Sequence, residues 1–96
     1  MGWHEPQLKI RIDPHTLARA EERGADVEEI RDVIETGSPS QAGRGRVGKA
    51  KVYVFNRNRH GNFYEEKRVE VIYTQEGDTL VTVTVYVFYG KWEAQE

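Results

Sequence analysis

The chain has 96 residues, 38% of them apolar and 31% charged, which fits one small domain with one modest core. No apolar run approaches the ~18 residues of a membrane span, and the absence of cysteine excludes disulfides and thiolate zinc sites. The net charge of −2 conceals an uneven distribution, because residues 37–64 carry six Lys/Arg and no carboxylate between two acidic flanks. Such a segment either suits an anionic partner or is a solvated stretch neutralised by its own flanks. The opening MGWHEPQLK has no secretion-signal pattern, so the expected location is the cytoplasm.

In chain order, QLKIRID alternates Leu8, Ile10 and Ile12 with polar residues and reads as a short strand. Asp13 is an N-cap and Pro14 a first helical residue for PHTLARAEER, which Gly24 ends. Asp26 and Glu29 form a capping box for a second helix, with Val27, Ile30, Val33 and Ile34 on one stripe and Gly37 at its end. A Gly/Ser-rich loop follows, then the strands KVYVFNR, RVEVIYTQ and TLVTVTVYVFYG, the last two joined by a hairpin turn at EGD. In the final strand, period-two alternation puts Val81, Val83, Val85 and Val87 against the helices and Thr82, Thr84, Tyr86 and Phe88 on an open face. The order β-α-α-β-β-β predicts an α+β fold of two layers, a short N-terminal strand and a helical hairpin packed on an antiparallel sheet. One domain is expected over 1–96, with its core at about 8–93.

GRGRVGKAK, from Gly43, matches both G-x-G-x-x-G and G-x-x-x-x-G-K. Both motifs need a strand before the loop and a helix after it to supply anion-binding amides. Here a helix precedes and a strand follows, and Ala50 stands where a magnesium-binding hydroxyl is needed, so no nucleotide site is expected. What remains is a loop carrying Arg44, Arg46 and Lys49, residue types that bind phosphate. Tyr53, Phe55, Phe63 and Tyr64 interleave the basic segment, either as stacking platforms or as strand residues of the core.

His15, Arg19 and Arg23 recur at i, i+4 and i+8, along one face of the first helix. They read as an imidazole base beside two cations, or as a solvated surface row. Lys67 is a cation at a strand start and Thr84 a hydroxyl on the open face. Each also has an ordinary strand role. His4, His15 and His60 lack metal-ligand spacing, so no metal or other cofactor is expected.

PHTLARAEERG, GRGRVGKAKVYVFN, YEEKRVEVIYTQEGD and TVTVYVFYGKWE resemble the small bacterial proteins of domain-of-unknown-function family 4258, over about Leu8 to Glu93. That family is similar in fold to the group containing RelE toxins, barnase, colicin D and EndoU. The resemblance implies a metal-independent endoribonuclease of toxin type that uses the substrate's 2′-hydroxyl, with RNA as substrate and a cognate antitoxin as partner. It implies a site of His15, Arg44, Arg46, Lys67 and Thr84. The alternative is a non-catalytic module that binds protein or nucleic acid.

Overall fold

A computed structural model describes residues 9–92 of the protein, so the expected core limits at Leu8 and Glu93 lie outside the described residues. The elements are β1 (Lys9–Arg11), α1 (Pro14–Arg23), α2 (Val27–Thr36), β2 (Ser38–Ser40), β3 (Val47–Arg59), β4 (Asn62–Glu76) and β5 (Thr79–Gly90). This is the expected α+β order with one strand more. The helical pair packs on a five-stranded sheet of order β1-β5-β4-β3-β2.

Local chemistry sets both helices as their sequences require. The Asp13 carboxylate accepts from the amides of His15 (2.9 Å) and Thr16 (3.3 Å), and Gly24 stops α1 at φ 102°. At α2 the capping box closes reciprocally between Asp26 and Glu29.

Three sequence expectations need correction. First, the Gly/Ser loop contains β2, paired with β3 through Ser38↔Ala50 and Ser40↔Gly48. Pro39 has no amide to donate, so it is tolerated only because β2 is an edge strand. Second, the sheet is mixed, because β1 pairs in parallel with β5. The chain runs along the border of β5 first as a strand and then, after Asp13, as α1. The Asp13 amide donates to Thr82 Oγ1 at 3.1 Å.

Third, β5 does not keep one face throughout. Its register runs Val71↔Val85 and Ile72↔Thr84, then skips to Tyr73↔Thr82. Val83 is therefore an extra residue, a β-bulge that reverses the alternation. Leu80 and Thr82 are buried before the bulge, while Val85 is buried and Val87 packs on the core after it. Val81 and Val83 fall outside the core. The core joins Ala20, Ala25, Ile30, Val33 and Ile34 of the helical layer to Val69, Val71, Tyr73, Leu80 and Val85 of the sheet. α1 lies mainly on β5, and α2 mainly on β3 and β4.

Val85→Asp strands a charge in this core and should unfold the domain, costing several kcal/mol. Val83→Asp, at the bulge, should leave a folded protein. Urea unfolding followed by circular dichroism checks both, and equal loss in the two variants would contradict the bulge assignment.

Candidate nucleic-acid interface

α1 presents two adjacent rows to the sheet's border. Thr16 and Ala20 are buried, and Leu17 turns toward the core. At ~100° per residue, His15, Arg19 and Arg23 form the neighbouring row on the side away from Leu17. Past the three residues that β1 pairs, β5 has no strand on its outer side, and α1 side chains reach its carbonyls there. Thr16 Oγ1 donates to the Val83 carbonyl at 3.3 Å, and Arg23 Nη1 donates to the Val85 carbonyl at 2.6 Å. The Arg23 guanidinium also lies 5.8 Å from the centre of the Tyr86 ring.

Tyr86 and Phe88 stack on each other on the uncovered sheet face, with ring centres 6.2 Å apart. Both remain more than 40% exposed. Thr84 shares that face, opposite Ile72. His15 is almost wholly exposed, with Nδ1 3.7 Å from Asp13 Oδ1. Arg23 thus reaches β5 and the Tyr86 ring, Thr84 lies on the same sheet face as that ring, and His15 and Arg19 continue the Arg23 row along α1. The alternation had placed Tyr86 and Phe88 on the open face without assigning them to the site.

Lys67 does not join this group. It pairs with Tyr89 of β5 in register, on the helix side of the sheet, whereas Thr84 is on the other side. Its ammonium donates to the Gly24 carbonyl at 2.7 Å and meets Glu29 Oε2 at 2.8 Å, with only 8% of the side chain exposed. Gly24 is at the far end of the ten-residue α1 from His15, about 15 Å along a helix of that length. Lys67 clamps the α1–α2 junction to the sheet.

The basic loop is elsewhere again. Arg44 and Arg46 occupy an exposed turn closed by Arg46 N–H to the Gly43 carbonyl at 3.1 Å, and Lys49 lies within β3. The turn joins β2 to β3, at the opposite border of the sheet from α1. Its glycines serve the hairpin. Gly45 takes φ 75°, and a Cβ at Gly48 would come within 2.5 Å of Ser40 Oγ.

Beneath α2 runs a second polar strip. Asp32 accepts from the Tyr53 hydroxyl at 2.6 Å and from Lys51 Nζ at 2.7 Å. The Lys51 and Tyr53 hydrogen bonds hold the Asp32 carboxyl down at about 2. Burial, then the bond to Asp32, raises the Tyr53 phenol above its usual range. Tyr53 is thereby a half-buried tether of α2, which decides between its two sequence readings.

Comparison with family models, curated proteins and solved structures finds no match for this chain.

Two outcomes follow from these placements. Lys67→Met leaves Glu29 and the Gly24 carbonyl without their cation and should destabilise the fold by about 3 kcal/mol in urea, the low end for a broken buried pair. Unchanged stability would contradict the clamp. Asp32 has its folded pKa below the ordinary 3.8, so its contribution is present above that pH and lost as pH falls toward 2. Asp32→Asn should therefore flatten the acid limb of the stability–pH curve between these values.

Proposed function

We propose that this protein is an RNA-interacting domain that holds a single strand along the α1–β5 border. Arg19 and Arg23 take backbone phosphates, and a base stacks on Tyr86 or Phe88. The observation that carries the reading is the exposed Tyr86–Phe88 pair beside the Arg23 guanidinium. Guanidinium forks suit phosphate, and aromatic faces accept any base. Among the described residues neither Arg19 nor Arg23 is ion-paired, and Arg23 keeps donors beyond the one it gives to the Val85 carbonyl.

Metal-independent cleavage of toxin type is the sharper form of the same proposal. It needs a group to take the 2′-hydroxyl proton and cations around the developing charge. His15 is the imidazole of the row, with Arg19 one turn and Arg23 two turns further along the same helical face and Thr84 as a phosphate-positioning hydroxyl. Lys67 has no part in it, since its ammonium is spent on the α1–α2 junction. A protein acting this way would arrest growth when produced without a neutralising partner. The non-catalytic reading is favoured by His15 itself, whose one close charged neighbour among the described residues is Asp13 at 3.7 Å.

Tyr86→Ala should weaken binding of a fluorescent oligouridylate by about 1–3 kcal/mol, read by anisotropy. Arg19→Ala should lower the slope of log K against log salt by roughly 0.7. The same RNA incubated in EDTA reports cleavage. Product with a 2′,3′-cyclic phosphate, lost in His15→Ala, supports the enzyme, whereas intact bound RNA supports the binding module. Wild-type protein that binds no RNA overturns the proposal.

A further inference from the structure

The strongest cationic feature outside the α1–β5 border is the β3–β4 hairpin. Its turn, His60–Gly61, has φ 53° and 86°, the positive pair of a tight two-residue hairpin turn, with Arg59 opposite Asn62. Just before it, β3 bulges between Val54 and Arg57, with Asn56 at φ 47°. A bulge re-aims the side chains that follow it. Here it sets the Arg57 guanidinium 4.8 Å from the Phe55 ring centre, and the Arg59 guanidinium 4.8 Å from that of Tyr89. Tyr89 in turn packs against Phe55 and Tyr64, at 5.1 and 5.5 Å between ring centres.

This cluster adjoins the C-terminal end of the α1 row. Arg59 Nη2 donates to the Glu22 carbonyl at 2.9 Å, and the Tyr89 hydroxyl donates to the Arg23 carbonyl at 2.5 Å. Arg59 is therefore joined to the same helical turn that carries Arg23. Among the described residues no carboxylate pairs with Arg57 or Arg59, and Arg57 makes no hydrogen bond through its side chain. Two cations held on rings by a tight turn have lost much of the freedom that a phosphate contact otherwise removes. The glycine loop has none of this support, although the sequence draws attention to it first.

We propose that the RNA strand continues from the α1–β5 border around the end of α1 onto this hairpin, where Arg57 and Arg59, which share one face of β3, bind consecutive backbone phosphates. The extension rests on the RNA reading above and adds a second segment of contact to it. Phosphates on Arg23 and Arg59 flank the same helix end, so one strand serves both.

The test is the salt dependence of oligouridylate binding, read by fluorescence anisotropy on wild-type protein, Arg57→Ala, Arg57→Lys and the loop double variant Arg44→Ala/Arg46→Ala. Because Arg57 is exposed and its side chain contacts the Phe55 ring without a hydrogen bond or ion pair, its variants should keep the wild-type circular dichroism and shift the urea midpoint only slightly. Arg57→Ala should reduce the slope of log K against log salt by roughly 0.7, Arg57→Lys should largely restore it, and the loop variant should leave it unchanged. An unchanged slope in Arg57→Ala, with a reduced one in Arg19→Ala, overturns the extension and leaves the α1–β5 reading standing. A reduced slope in the loop variant alone moves the path to the other border and overturns the extension as well. Wild-type protein without RNA binding removes both.

Discussion

The backbone edge of β5 is the constraint on which the rest of this structure depends. A border strand presents carbonyls and amides that must find partners or water. Here β1 covers the first three residues of β5 in parallel, and α1 continues along the same line. Thr16 and Arg23 reach the Val83 and Val85 carbonyls. The bulge at Val83 lets one strand serve two neighbours. Before it Thr82 faces inward to meet the Asp13 amide, and after it Val85 faces inward to fill the core. Fold and candidate site therefore share their parts, because the residue that closes the edge, Arg23, is also the cation beside Tyr86.

A second consequence concerns what the charges are doing. A strand the length of β3 separates the Arg44–Arg46 turn from the Arg57–Arg59 hairpin by about 40 Å, at roughly 3.3 Å per residue. The basic middle of the sequence is thus two unlike features at opposite ends of the sheet. One is an open turn; the other is ordered by rings and by the end of α1. Lys51 and Lys67 are committed to Asp32 and Glu29 under α2. Counting cations along the chain overstated what any single surface presents.

Elements with local signals were legible in the sequence. Asp13–Pro14, Gly24 and the Asp26/Glu29 box fix both helices through bonds within a few residues. The i, i+4, i+8 spacing correctly placed His15, Arg19 and Arg23 in one row. What escaped depended on partners distant in the chain. Alternation along β5 has no means of registering an inserted residue, since Val83 is extra only relative to β4. Lys67 carries nothing in its neighbourhood to announce that Glu29 and the Gly24 carbonyl wait across the sheet. Ser38–Ser40 is too short and too polar to read as a strand, and becomes one only through β3. The glycines of GRGRVGK were legible as turn formers, while the close approach of Ser40 to Gly48 was not.

The central claim is that RNA lies against the α1–β5 border, and the most direct measurement locates it there without any substitution. Protein bound to a 4-thiouridine oligoribonucleotide, irradiated and digested, gives adduct positions by mass spectrometry. Adducts at Tyr86 or Phe88, with protection of the Arg19–Arg23 segment from proteolysis, are the result this account predicts. Adducts confined to the Gly43–Lys49 segment, or none at saturating RNA, would contradict it.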